Sequence, residues 1–162
     1  MQPSFEHKIC APGDLIARAK NLRQPLVFTN GVFDILHRGH VTYLAEAAAL
    51  GESLVVALNS DASVKRLGKG EDRPINILAD RMAVIAALES VSLVTWFEED
   101  TPIQPILALK PMRLVKGGDW ALDNIVGAEE TLSWGGMVHS IQFQHQRSTT
   151  DMLVKIRASQ HQ

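Results

Sequence analysis

The chain has one cysteine, Cys10, among its 162 residues. A single thiol cannot form an internal disulfide, so the chain is not a disulfide-stapled domain and we expect it in the reducing cytoplasm. No apolar run approaches the roughly 20 residues that a membrane-crossing helix needs. The first ten residues carry Glu6, His7 and Lys8 where a secretory signal would have an apolar core. We therefore expect no membrane partner.

The chain also lacks a strong net charge of either sign, since it contains 16 Lys and Arg residues and 18 Asp and Glu residues. The formal net charge of −2 provides no global basic field, so we expect no nucleic-acid partner. The G-x-G-x-x-G fingerprint is absent from the first strand-to-helix turn, which argues against a Rossmann dinucleotide site. There is no internal repeat or low-complexity linker. With 46% hydrophobic residues, the sequence predicts a single domain over residues 1–162, in which 1–24 form a lead-in and a helix.

The most informative segment runs from Leu26 to His40. An apolar run at 26–28 predicts a buried strand, the Asn30-Gly31 pair predicts a tight turn, and a helical pattern begins near His40. The unpaired N–H groups and the dipole of a helix start favour an anion. His37 and His40 are spaced to lie on one side of the first turn, and Gly39 between them lets a phosphate approach the backbone. Together these features indicate a phosphate site.

Strand-like and helix-like segments alternate along the rest of the chain. The apolar patterns predict five strands, at 26–28, 54–58, 91–97, 113–116 and 137–143. Helices are predicted at about 15–22, 40–50, 77–88, 101–109, 124–134 and 152–158, and a charged loop at 65–74. This alternation is typical of an α/β fold, a Rossmann-like, doubly wound, five-stranded parallel sheet with helices on both faces.

Polar residues follow four of these segments, at 30–40, 59–61, 117–120 and 147–150. In a doubly wound sheet the carboxyl ends of the strands meet at one edge, where ligands bind. We expect two donor sets, distant in sequence, to flank one polyphosphate there.

The string from Thr29 to His40 resembles the signature of the HxGH nucleotidylyltransferase superfamily, in its cytidylyltransferase-like branch. From about Leu26 to Ile156 the chain is similar to the adenylyltransferase domains that make ADP-heptose for lipopolysaccharide. The further matching segments are 58–67, 73–75, 80–81, 99–102, 115–119, 126–128 and 148–150. Many relatives carry this domain behind a sugar kinase in one polypeptide, and the resemblance here is to a stand-alone form.

The resemblance implies transfer of AMP from ATP to D-glycero-beta-D-manno-heptose 1-phosphate, with release of pyrophosphate. It implies that His37 and His40 donate to the triphosphate, that Lys65 and Arg81 bind the sugar phosphate or the triphosphate, and that Asp34 orders the site. It further implies a nucleotide-binding set: Thr29, Asn30, Gly31, Phe33, Asp34, Gly39, Lys116, Gly117, Asp119, Ser148, Thr149 and Thr150. No protein metal ligands are expected, because Mg²⁺ usually binds phosphate oxygens and water. A homo-oligomer, such as a dimer, is also expected.

Several assignments are left open by the residues. Lys65 and Arg81 could instead be surface ion pairs with Asp61 or Asp80. Trp120 could stack on the base or pack on the surface, and Arg147 is a candidate for a further phosphate contact. Exposed loop charge is the expected state of three other cations: Arg66, Lys69 and Arg73.

Three other functions are compatible with part of the pattern. A cytidylyltransferase for a small alcohol phosphate, of the glycerol 3-phosphate type, shares the phosphate-binding motif, which does not read the base. A class I aminoacyl-tRNA synthetase shares the histidine motif but is disfavoured by the short chain, which lacks an anticodon-binding region. A non-catalytic nucleotide-sensing module is the third.

Overall fold

A five-stranded parallel sheet forms the centre of the computed structural model, which describes residues 3–68, 70, 72–144 and 149–159. The strands run in the order β3-β2-β1-β4-β5, and every neighbouring pair is parallel. Their bounds are β1 Leu26–Gly31, β2 Ser53–Asn59, β3 Leu93–Phe97, β4 Arg113–Gly117 and β5 Met137–Ile141. The predicted α/β fold with a five-stranded parallel sheet is confirmed.

Seven α-helices accompany the sheet in the described part of the chain. They are α1 Leu15–Ala19, α2 Arg38–Ala48, α3 Asp61–Arg66, α4 Leu78–Ala86, α5 Ile103–Leu109, α6 Ala128–Ser133 and α7 Thr149–Ser159. No helix in the described ranges is long and apolar enough to cross a membrane.

Three local predictions were wrong. Asn30 and Gly31, expected to form a tight turn, are the last two residues of β1. Residues 65 and 66, expected in a loop at 65–74, are the last two residues of α3. This helix was not predicted from the sequence, and its start is capped by the Ser60 hydroxyl, which accepts from the Ser63 amide at 3.1 Å. The helix expected at 124–134 is split into a 3₁₀ turn at Leu122–Asn124 and α6. Gly127 separates the two with a φ of 86°, a conformation that favours glycine.

The hydrophobic core is divided between the two faces of the sheet. Along β2, Leu54 and Val56 pack with residues of α2 and α4, whereas Val55 and Ala57 pack with residues of α1, α5 and α6. The reason is the period of two along a strand, which sends successive side chains to opposite faces. Every residue of β2 is buried, as an apolar strand covered on both faces requires.

The strand order places a topological switch point between β1 and β4. The chain moves from β1 outward to β2 and β3, then returns to the other side of β1 to form β4 and β5. In open α/β sheets such a reversal leaves a crevice at the carboxyl ends of the two central strands, and this is where ligands bind.

Candidate active site

A cleft of about 480 Å³ lies at this switch point, and we call it the histidine cleft. It collects residues from the end of β1, the start of α2, the end of β4 and the start of α7. Nine predicted site residues line it: Asn30, Gly31, Phe33, Asp34, His40, Lys116, Gly117, Thr149 and Thr150. Five other residues complete the lining: Val32, Tyr43, Arg73, Trp120 and Phe143.

The two histidines of the motif stack at the start of α2. Their ring centroids are 3.8 Å apart and the ring planes differ by 24°. His37 is the residue before the helix, and its carbonyl oxygen accepts from the His40 amide at 3.0 Å. His40 lines the cleft, His37 supports it by stacking, and Gly39 between them is buried. The expectation that both rings lie on one side of the first turn is confirmed.

Gly31 and Phe33 form a tight corner where β1 ends. Phe33 has a φ of 48°, and its ring meets the His40 ring edge-on at 5.5 Å between centroids. A Cβ on Gly31 would lie 2.8 Å from Cε2 of Phe33, closer than side-chain carbons approach. Glycine at this position therefore lets the Phe33 ring sit under the strand end and against His40.

The carboxylate of Asp34 organises the loop at residues 73–76. Its Oδ2 accepts from Arg73 Nε at 2.6 Å and from the Ile75 amide at 2.9 Å, and its Oδ1 accepts from the Asn76 amide at 2.8 Å. Burial tends to raise the pKa of Asp34, but the backbone hydrogen bonds and Arg73 hold this pKa below its ordinary value. Asp34 is therefore a carboxylate that orders the site, as predicted, by joining β1 to this loop.

Arg73 is not the exposed loop charge that the sequence suggested. The residue is 5% exposed, and its guanidinium pairs with the fully buried carboxylate of Asp34. The expectation was wrong because a loop's composition does not show which distant acid the fold brings to it. Arg66 does behave as an exposed charge and pairs with Asp100 at 2.6 Å, whereas Lys69 lies outside the described residues.

Arg81 is buried, and its guanidinium donates hydrogen bonds to oxygens of the protein itself. Nη1 donates to the Val32 carbonyl at 2.7 Å, Nε to the Asn76 carbonyl at 3.0 Å, and Nη2 both to the Asn59 carbonyl at 2.9 Å and to Asp61 Oδ1 at 2.7 Å. The side chain has no exposed surface. In this arrangement Arg81 ties the loop after β1 to the end of β2 and does not line the cleft. The phosphate contact expected of it stays a prediction.

Three other predicted residues also lie away from the histidine cleft. Lys65 is exposed on α3 and does not line the cleft. Asp119 is exposed and lines a different pocket of the surface. Thr29 is fully buried with its hydroxyl 2.5 Å from that of Tyr43, so its side chain is used inside the core and not at the cleft surface.

The end of β4 presents Lys116 and Gly117 to the cleft. Lys116 Nζ lies 3.5 Å from Asn30 Oδ1 and 5.9 Å from the centre of the Trp120 ring. A Cβ on Gly117 would lie 2.7 Å from Cζ of Phe143, so this glycine allows the aromatic wall to approach. Trp120 is about half exposed, which leaves much of its ring open to a ligand.

The fourth predicted segment reaches the cleft through the start of α7. Thr149 and Thr150 both line the cleft, and Thr149 Oγ1 donates to the Ile35 carbonyl at 3.3 Å. Ser148 and Arg147, also singled out by the sequence, lie outside the described residues. The first turn of α7 therefore faces the same space as His40, as the two-sided phosphate site requires.

A second cavity of about 360 Å³ adjoins the cleft, and we call it the side cavity. The two spaces share one ridge, made of Asn30, Gly31, Val32, Lys116 and Trp120. Beyond the ridge the side cavity is lined by Asn59, Leu67, Asp100, Thr101, Pro102, Asn124, Ile125 and Val126. Of the predicted strand-end residues 59–61, Asn59 reaches this space, while Ser60 and Asp61 serve the cap of α3 and the Arg81 pair.

Sequence reasoning missed Arg73, Tyr43 and Phe143 as cleft residues. Tyr43 and Phe143 occupy apolar positions of a helix and of a strand end, which the pattern assigns to the core. Burial raises the pKa of the Tyr43 phenol well above its ordinary value, so Tyr43 contributes a neutral ring to the wall. No local signal marked Arg73 either, because the buried acid that needs this cation, Asp34, is brought to it only by the fold.

Comparison with known proteins agrees with this geometry. The cytidylyltransferase-like family model matches residues 28–157. The chain is 56% identical over 155 residues to D-beta-D-heptose 1-phosphate adenylyltransferase of Bordetella bronchiseptica, covering 94% of this chain and 96% of the relative. It is 49% identical to the bifunctional protein HldE of Marinomonas sp., covering 91% of this chain but only 31% of that longer protein.

A solved structure also shares the fold. The lipopolysaccharide core biosynthesis protein of Thermoplasma volcanium superimposes with a TM-score of 0.60 at 30% identity, over 75% of this chain and 98% of that one. The histidine pair, the strand-end loops and the match across residues 28–157 lead to one conclusion. The chain belongs to the cytidylyltransferase-like family.

Proposed function

We propose that this chain is a nucleotidyltransferase that moves AMP from ATP to D-glycero-beta-D-manno-heptose 1-phosphate, giving ADP-heptose and pyrophosphate for lipopolysaccharide core synthesis. The observation that carries the proposal is the 56% identity to a heptose 1-phosphate adenylyltransferase over nearly the full length of both chains. The shared cleft of His40, Lys116 and Thr149 supports it, because these are the donors that a triphosphate requires.

The reaction needs no protein nucleophile. An oxygen of the sugar phosphate attacks the α-phosphorus of ATP in line, a new P–O bond forms, and the bond to the bridging oxygen breaks to release pyrophosphate. Catalysis then depends on holding the reactants and on stabilising the charge that develops. In the proposed reaction His40 donates to the phosphate oxygens, and the stacking of His37 on His40 at the start of α2 supports this role.

The histidine cleft suits the triphosphate. Lys116 stands at the β4 side, and the first turn of α7 brings Thr149 and Thr150 with the N–H groups of a helix start. Asn30, Gly31 and Phe33 line the same cleft. Ser148 and Thr149 are proposed to hold the β- and γ-phosphates, and Trp120 offers a ring for the base.

The side cavity suits the sugar phosphate. It meets the histidine cleft along the ridge of Asn30 and Lys116, so a sugar placed there would bring its phosphate to the α-phosphorus. Asn59, Asn124 and Asp100 supply the polar groups that sugar hydroxyls need.

Mg²⁺ is proposed as the metal, carried by the substrate. Asp34 is the one carboxylate that lines the cleft in the described part of the chain, and its oxygens already accept from Arg73 and two backbone amides. The other polar lining groups are mainly donors and suit phosphate better than a metal. These residues fit a Mg²⁺ that is held by phosphate oxygens and water, where its charge would offset that of the phosphates.

Self-association into a dimer, a cytoplasmic location and the absence of a nucleic-acid partner stay predictions. Sedimentation of the purified chain would measure the first.

The test is a substrate panel that follows pyrophosphate release in the presence of Mg²⁺. ATP, CTP, GTP and UTP are each paired with heptose 1-phosphate, other sugar 1-phosphates and glycerol 3-phosphate. Release with ATP and heptose 1-phosphate supports the proposal. Faster release with CTP and glycerol 3-phosphate would favour the cytidylyltransferase alternative, and nucleotide binding without release from any pair would favour a sensing module.

A further inference from the structure

Arg73 is a buried cation in the wall of the cleft, and one side of its guanidinium is already held. Its side chain is 6% exposed, and that of its partner Asp34 is not exposed. The Asp34 carboxylate accepts from Nε of Arg73 at 2.6 Å, and its other hydrogen bonds come from the Ile75 and Asn76 amides. Because Arg presents five N–H donors in a rigid fork, this single contact leaves most of the fork available.

The two Nη amino groups of Arg73 donate to no acceptor within the described residues. Within the described residues, neither Nη atom is a fully buried polar atom without a hydrogen-bond partner. Solvent therefore reaches both amino groups. The space beside Arg73 is the histidine cleft that it lines. A buried guanidinium with unused donors at a cleft surface is costly unless a ligand or water accepts from it.

The first turn of α7 lines the same space. Thr149 and Thr150 line the cleft together with Arg73, and Arg157 of α7 pairs with Asp72, the residue directly before Arg73. This exposed pair brings the loop next to α7. The lining of this space therefore combines a helix start with a fixed fork of N–H donors, and this combination matches a phosphate group.

We propose that Arg73 binds the β- and γ-phosphates of the nucleotide through its two Nη amino groups, while Asp34 holds Nε and fixes the direction of the fork. The assignment rests on the proposed function for the identity of the nucleotide. In this proposal the phosphates that leave as pyrophosphate contact a second cation of the cleft besides Lys116. Asp34 acts through Arg73 and is a positioning residue.

The test measures ATP, inorganic triphosphate and adenosine binding to the full chain by calorimetry, for the wild type, Arg73→Gln and Arg73→Lys. Loss of charge-assisted hydrogen bonds should weaken ATP and triphosphate binding by about 10- to 100-fold in Arg73→Gln and leave adenosine binding unchanged. Arg73→Lys should also bind ATP weakly, because one ammonium cannot serve Asp34 and a phosphate together. Arg23→Gln is the matched control, since Arg23 pairs with Glu52 at 3.7 Å and is largely exposed.

Removing Arg73 leaves Asp34 buried without its cation, so Arg73→Gln could fail to fold. The double variant Asp34→Asn with Arg73→Gln removes both charges and should show the same selective loss of ATP and triphosphate binding. Equal weakening of adenosine and ATP would mean a structural role only and would overturn the proposal. ATP affinity equal to the wild type, in an enzyme that still transfers AMP, would overturn the Arg73 assignment alone. A wild type that binds neither ATP nor triphosphate would overturn the proposed function as well.

Discussion

The imidazole rings of His37 and His40 stack with 3.8 Å between their centroids, and His40 alone of the two lines the cleft. Each ring therefore depends on the other for its place. His40→Ala should lower turnover by at least ~10²-fold, the range for losing a donor to the transition state. His37→Ala should lower turnover by a similar factor, because the His40 ring loses the ring on which it stacks. Initial rates of pyrophosphate release measure this. His7→Ala is the control, because His7 is exposed near the N-terminus, and near-normal rates in both cleft variants would refute the role.

The burial of Arg81 leads to a prediction on stability. Arg81→Met removes the donors to three carbonyl oxygens and to Asp61, so the free energy of unfolding should fall by about 3 kcal/mol in urea denaturation. Arg66→Met is the matched control. Its exposed pair with Asp100 should be worth no more than about 1 kcal/mol. If Arg81→Met unfolds like Arg66→Met yet loses turnover, Arg81 acts directly on substrate, as the sequence first suggested.

The lowered pKa of Asp34 leads us to expect that the free energy of unfolding falls in acid. Its pKa in the folded protein lies below the ordinary value of 3.8 because amide hydrogen bonds and Arg73 outweigh the opposing effect of burial. A depressed carboxyl pKa contributes stability above the ordinary value, and this contribution is lost as the pH falls through the folded-state pKa. The difference in unfolding free energy between wild type and Asp34→Asn should have its largest value at about pH 6 and should become smaller below pH 3.8.

The comparison for Asp34 is Glu52→Gln. The Glu52 side chain is half exposed and 3.7 Å from Arg23, so this variant should differ little from the wild type. A gap between wild type and Asp34→Asn that stays constant down to acid unfolding would contradict the assignment of Asp34 as the ordering carboxylate.

Gly31→Ala tests the corner beneath His40. The new Cβ would lie 2.8 Å from Phe33 Cε2, so the ring must move, and it is the ring that meets His40 edge-on. We expect a loss of roughly 1–3 kcal/mol in unfolding free energy together with slower turnover. Gly13→Ala is the control, since nothing lies within 4 Å of a Cβ there. Wild-type stability and rate in Gly31→Ala would show that Phe33 does not position His40.

The fold could be predicted because its determinants are local. Apolar runs of strand length alternate with helical patterns, and the period of two along β2 alone assigns Leu54 and Val55 to opposite faces. The order of the strands then brings the ends of β1 and β4 together, so Asn30 and Lys116 meet although they are far apart in sequence. Boundaries were less predictable, as α3 shows, because its start depends on contacts of Ser60 and Ser63.

By itself, the sequence determined the α/β sheet, the histidine pair at the start of a helix and the family, since each depends on patterns of residues that are close together in the chain. The tertiary structure alone decided what the arginines do. Arg73 and Asp34 are 39 positions apart, and Arg81 and Val32 are 49 apart, so no local pattern shows that these guanidinium groups are buried. The physical reason is that burial of a charge is set by the acceptors which the fold brings to it, and those acceptors come from other strand ends.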